Sequence, residues 1–240
     1  MKEQGKPGMN LNMRHQIKKI IPLISLIALV HCTVPKPNSS QLQNLVTTTE
    51  LGEASREAYR SAKKAKSKKD KLLHANIGIH YAEACLETNP EETLCLYYQV
   101  LNTGVYIQNH IPNFQRGLRK MVESCERLIT VQPGYENGGC YRVLGNIYAK
   151  APSFSFSSKG VTQDLDLSVE YLRKAIEIAP DYPLNRLFLA RSLEEIDDKP
   201  GAREQLEAFD KLSHERLDEE YPQWKKERES LAKKLKTTQN

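Results

Sequence analysis

Tyr141-Arg142-Val143-Leu144-Gly145-Asn146-Ile147-Tyr148, followed by Ser168-x3-Leu172-x2-Ala175-x4-Pro180, is the stretch that decides the fold. Large apolar residues recur at intervals of three and four, the period of a helix with one buried face. Gly145, Ser168 and Ala175 are small, and two helices approach closely only where a side chain is small. Pro180 cannot continue a helix, so it marks where the second helix has ended. The two segments therefore predict an antiparallel helical hairpin.

The second-helix pattern occurs twice upstream, as Gly78-x3-Ala82-x2-Cys85-x4-Pro90 and as Met121-x3-Cys125-x2-Leu128-x4-Pro133. Tyr98 and Tyr141 follow Pro90 and Pro133 at the same distance. A fourth unit covers 183–212, with Ala190, Ala202 and Leu206 at repeat spacing and a turn at 197–201. This pattern resembles the tetratricopeptide repeat, with Tyr141 in place of the usual Trp. The predicted fold is all-α: tetratricopeptide-like hairpins, three and a half of them, stacked as a short solenoid over residues 51–221. An opening helix over about 51–67 completes the first hairpin. Residues 222–240 form a capping helix and tail, with Trp224, Leu231 and Leu235 on one face. Such a cap is what a solenoid end requires. Residues 151–160, rich in Pro, Ser and Phe, form a loop between the two helices of one unit; Phe154 and Phe156 either cover the core or make a contact outside it.

The formal charge of +5 is concentrated in residues 1–31, where Lys2, Lys6, Arg14, Lys18 and Lys19 face only Glu3. The nearly neutral remainder gives no case for nucleic-acid binding. Arg14, Lys18 and Lys19 precede an uncharged apolar run, Ile20 to Val30, too short to span a bilayer. That reads as an export signal over 1–31, starting at Met1 or at Met13. Leu29-Val30-His31-Cys32 resembles a bacterial lipoprotein box, which implies a lipid anchor on Cys32; His31 departs from the small residue expected there. The alternative is a plain signal peptide with Cys32 unmodified. Residues 32–50 form the tether.

Cys85, Cys95, Cys125 and Cys140 remain, and four cysteines in an exported chain suggest disulfides. Cys85 and Cys95 flank Pro90, and Cys125 and Cys140 flank Pro133, so the local pairings are expected; the alternative is four buried small apolar residues. No CxxC pair suggests zinc, and no regular calcium spacing is present, so no metal and no cofactor are expected.

Asn137-Gly-Gly-Cys-Tyr-Arg-Val-Leu-Gly-Asn-Ile-Tyr-Ala-Lys-Ala-Pro152 and Ala179-Pro-Asp-Tyr-Pro-Leu-Asn-Arg-Leu-Phe-Leu-Ala190 carry a narrower resemblance. Together they are similar to the T component of some bacterial TRAP transporters, the TatT-like lipoproteins. The resemblance covers 72–212 and is strongest over 137–190. It implies a helical-repeat lipoprotein that partners a periplasmic substrate-binding subunit. The loop at 153–158 departs from the family pattern, so no loop function is carried over.

Catalytic signatures are missing: there is no HExxH, GxSxG, P-loop or GxGxxG. Gly138-Gly139 reads as a turn rather than an anion site. His74, His80, His110 and His214 are scattered, and Glu194, Glu195, Asp197 and Asp198 read as solvated. The basic runs at 63–71 and 225–236 are solvated helix faces or contacts to anionic lipid. Tyr97, Tyr98, Tyr106, Tyr141 and Tyr148 fall on first helices, mostly as packing. Polar neighbours on the same helices are the candidates for a partner-binding groove: Gln99, Thr103, Arg142, Asn146 and Arg191. The expected function is therefore a non-catalytic, membrane-tethered periplasmic scaffold that binds a protein partner. An envelope-assembly protein and a carrier of a small apolar ligand are the alternatives.

Overall fold

The computed structural model describes residues 47–110, 112, 114–155, 158–213 and 221–237. The expected export signal, the Cys32 anchor, His214 and Phe156 lie outside the described residues, as does the tether up to residue 46. The described part is all-α: tetratricopeptide-like hairpins stacked as a short solenoid. Nine helices are present among the described residues: α1 Thr48–Lys64, α2 Lys68–Thr88, α3 Thr93–Asn109, α4 Phe114–Val131, α5 Tyr135–Lys150, α6 Leu165–Ile178, α7 Pro183–Glu195, α8 Lys199–Ser213 and α9 Tyr221–Thr237. Consecutive helices pair as α1/α2, α3/α4, α5/α6 and α7/α8, and α9 rests on α7 and α8.

Among the described residues the hairpins number four where three and a half were expected, and the first opens with α1. It begins inside the expected tether: the Thr47 hydroxyl accepts from the Glu50 N–H, and the Glu50 carboxylate accepts from the Thr47 N–H. That reciprocal cap satisfies two orphan donors and fixes the start. Ser67 does not end α1, as expected from the sequence; its hydroxyl accepts from the Asp70 N–H and starts α2. The turn before α8 is also shorter than expected. Asp197 takes a left-handed φ of 64°, and Asp198 caps the Gly201 N–H, so Gly201 lies in the first turn of α8.

The prolines act as predicted: α2, α4 and α6 end at Thr88, Val131 and Ile178, two residues before Pro90, Pro133 and Pro180. The small positions are close approaches. A Cβ on Gly145 would sit 2.5 Å from Leu172 Cγ of the paired helix. In that same hairpin the Ser168 hydroxyl donates to the Gly145 carbonyl at 2.7 Å, and Ser55 donates to the Gly78 carbonyl at 2.8 Å in the first. A hydroxyl thus bonds the backbone of the facing helix where the two are too close for a larger side chain.

Candidate partner-binding groove

The first helices of the hairpins share a groove of about 430 Å³, bounded at one end by α1 and at the other by α9. Tyr59 and Lys63 of α1 are followed by Leu101, Gly104, Val105 and Gln108 of α3, then Val143, Asn146 and Lys150 of α5. Leu184, Phe188 and Arg191 of α7 continue it, and Gln223, Trp224 and Glu227 of α9 complete it. On each helix these residues recur at three and four, so each presents one stripe to the groove. From the second helices of the hairpins, only Met121 of α4 reaches it.

Of the five groove residues expected from the sequence, Arg142, Asn146 and Arg191 line it, and Gln99 and Thr103 do not. Gln99 is buried, and its amide oxygen accepts from the Ser124 hydroxyl of α4 at 2.7 Å. It lines instead a hollow on the opposite side, beside Glu83, Lys120 and Arg127. Thr103 is buried facing Gly117 of α4. The face of α3 turned to the groove is the one bearing Leu101, Gly104, Val105 and Gln108.

Arg142 touches the groove, but its donors serve the fold. Glu136, Asn137 and Gly138 take left-handed φ values of 50°, 58° and 71°, a turn at the head of α5. Glycine tolerates that conformation freely; Glu136 and Asn137 pay a steric penalty. The turn presents the carbonyls of Glu136 and Asn137 to the Arg142 guanidinium, which donates to them at 3.3 and 3.2 Å. Arg142 also donates to Asn185 Oδ1 at 2.9 Å and lies 4.8 Å from the centre of the Tyr182 ring. The Asn185 amide donates in turn to the carbonyls of Asn137 and Ala175. One buried cation therefore ties the α4–α5 turn to α7. Of the Gly138-Gly139 turn expected from the sequence, Gly138 takes part and Gly139 does not; Glu136 and Asn137 supply the other left-handed residues.

Asn146, Lys150 and Arg191 form a cluster across α5 and α7. The Arg191 guanidinium donates to Asn146 Oδ1 and to Glu227 Oε1 of α9, both at 2.6 Å, and packs 4.6 Å from the centre of the Phe188 ring. Its Nε is buried without a hydrogen-bond partner. Lys150 is exposed; partial desolvation and then the Arg191 charge lower its pKa below the usual lysine value. Lys150 lies four residues beyond Asn146 and eight beyond Arg142, so continuing the α5 stripe would have found it. Trp224 and Glu227, placed on the cap by the sequence, also belong to the groove.

Aromatics divide between groove and core. Tyr97 and Tyr98 line the groove and pack edge-on at 5.5 Å, with Tyr135 against Tyr97 and Tyr59 against Tyr98. Burial raises the Tyr97 phenol well above its ordinary value, and raises Tyr135 to about 12. Tyr141 and Tyr148 instead pack on Tyr171 of α6, and Tyr106 packs on His110.

The Cys85 and Cys95 sulfurs are bonded across the Pro90 turn, joining α2 to α3. The expected second bond is not formed: Cys125 and Cys140 are buried free thiols. The loop at 151–164 is tied down by Gln115 of α4, whose amide donates to the Val161 carbonyl at 3.1 Å and accepts from the Val161 N–H at 2.9 Å. Phe154, on the same loop, is 65% exposed.

Glu194 pairs with Lys234 and Asp197 with Lys199, while His80 pairs with Glu83. Arg228 of the basic α9 run pairs with Asp210, so that run is partly a docking face for α9. Among the described residues no group of three or more His, Cys, Asp or Glu is placed to hold a metal ion, and no helix is long and apolar enough to cross a membrane. Compared with models of known protein families and with curated proteins, the chain matches none.

Proposed function

We propose that this chain is a non-catalytic scaffold, exported and held at a bacterial membrane through Cys32, that docks an extended segment of a partner protein in the groove between its first helices. The observation that carries this reading is the groove itself: a run of aromatic, amide and cationic side chains crossing α1, α3, α5, α7 and α9. Aromatics supply apolar area and exposed amides meet peptide bonds, which is how grooves of this kind hold extended chains. In its specific form the partner is a periplasmic substrate-binding protein and the chain is the T component of a TRAP-type transporter, as the motifs at 137–152 and 179–190 suggest.

The test is expression of the full-length chain in a bacterial host, with fractionation and crosslinking beside a Cys32→Ala control. The expected outcome is a membrane-bound wild type, a soluble variant and a substrate-binding protein among the crosslinked species. Soluble forms of both with no crosslinked partner would remove the anchor and the transporter reading together. A copurifying lipid in place of a protein would favour the carrier.

A further inference from the structure

We infer that Lys150, Asn146 and Arg191 form a carboxylate subsite at the centre of the groove, so that the docked segment is an acidic peptide. The inference rests on the reading of the groove as a docking surface and names the chemistry it selects.

Charge points first. Lys63, Arg142, Lys150 and Arg191 line the groove against Glu136 and Glu227. Glu227 is already held by Arg191 at 2.6 Å. Lys150 is exposed on the groove face of α5, four residues beyond Asn146, and makes no ion pair or hydrogen bond with a described residue. Hydrogen-bonding capacity points the same way. Asn146 uses its oxygen to accept from Arg191, which leaves its amide N–H groups open. Arg191 Nε is buried and unpartnered. Lys150 offers an ammonium one turn along the same face of α5. The unfilled valences of all three residues are donors, and an ionised carboxylate is the common peptide group that only accepts.

Extent points to a chain rather than a compact ligand. The groove runs across five helices, from α1 to α9, which suits an extended segment. Phe188 lies beside the subsite and offers apolar area to residues flanking the acid, while Gln108 and Gln223 expose amides.

The chain supplies its own reporter: its single tryptophan is Trp224, 4% exposed and lining the groove. The experiment titrates the full chain with two pools of eight-residue peptides of mixed apolar composition. One pool carries central Asp and Glu and the other carries Asn and Gln, with binding read from Trp224 emission. The acidic pool should bind at least tenfold tighter, and added salt should weaken it. Lys150 is exposed, so Lys150→Gln should fold normally and cut the preference to threefold or less; Lys150→Glu should turn it toward lysine-bearing peptides. Equal binding of both pools overturns the carboxylate subsite while leaving the groove as a docking surface. Binding of neither pool overturns the subsite, and if crosslinking also captures no partner at the groove, the docking surface falls as well. A Trp224 response to vesicles of anionic lipid, with none to either pool, assigns the cluster to headgroups and overturns the peptide.

Discussion

Arg142→Gln separates two roles that the sequence merged. Arg142 is 6% exposed, and its guanidinium donates to two carbonyls of a left-handed turn and to Asn185 of α7. Hydrogen bonds to a charged group contribute about 1.5–3 kcal/mol each. The two carbonyl contacts, at 3.2 and 3.3 Å, belong at or below the low end of that range, and glutamine recovers part of one. The cation against the Tyr182 ring adds about 0.5–1 kcal/mol. Together these predict a loss of about 3–4 kcal/mol, a large share of the ~5–15 kcal/mol that holds a domain. The assay is urea denaturation followed by circular dichroism and by Trp224 fluorescence, the latter from α9. A coupled variant sharpens it. Glu136 sits at φ 50°, so Glu136→Gly relieves a left-handed residue and should return about 1 kcal/mol to the Arg142→Gln protein. A loss under about 1 kcal/mol, accompanied by weaker partner capture, would refute the structural assignment and restore Arg142 to partner binding.

Gly145→Ala places a Cβ 2.5 Å from Leu172 Cγ and should destabilise by about 1–3 kcal/mol in thermal melts, with part of the loss returned by Leu172→Val. Replacing Cys85 and Cys95 together by Ala should remove about 2–3 kcal/mol and abolish the effect of reductant on the melting temperature. Cys125 should resist iodoacetamide in the native chain at pH 8.5 and react once unfolded, because burial holds its pKa well above the usual thiol value. The raised pKa values of Cys125, Tyr97 and Tyr135 set the alkaline limit. Their stabilising contribution is full below the unfolded values and is lost as pH rises through the folded ones. Melting temperature should therefore fall above pH ~8.5 as unfolded thiols ionise, and faster above pH ~10 as unfolded phenols follow; a Tyr97→Phe chain should lose less over that second range.

The second helices of the repeat were legible because their chemistry is restrictive. A small residue is needed where two helices nearly touch, and a proline stops the chain two residues past the last turn, so Gly78, Ala82, Ala175 and Pro180 could be read directly. The groove register on α5 and α7 was legible for a related reason: each has a polar residue at helical spacing, and Arg142, Asn146 and Arg191 fell on the correct side. α3 gave no such contrast. Cys95, Leu96, Tyr97, Tyr98, Gln99, Val100, Asn102, Thr103 and Ile107 are all buried, so polarity does not mark an outer face. Gln99 is polar because it meets α4, where Ser124 gives it a partner; Thr103 sets its methyl against Gly117 of α4 and leaves its buried hydroxyl unpartnered, and apolar Leu101 and Val105 face the groove. Polarity reports an available hydrogen-bond partner as readily as it reports water. The start of α1 was missed because Thr47 and Glu50 act through a capping box that lies ahead of any apolar periodicity.

The junctions between hairpins explain why the groove can carry unpartnered donors at all. In a stacked array each unit is positioned only by its neighbours, so the curvature of the inner face depends on what ties one hairpin to the next. Here each tie is different. The first junction is closed by the Cys85–Cys95 bond. At the second, the left-handed turn is held by Arg142. Asn185 closes the third by donating to the Ala175 and Ala179 carbonyls at the end of α6, and because it also accepts from Arg142 the second and third junctions share one buried network. With the helices fixed in this way, Lys150 and the Asn146 amide are not needed to hold the fold. Lys150, exposed on the groove face of α5 and without an ion pair among the described residues, is better explained by what it meets than by what it supports.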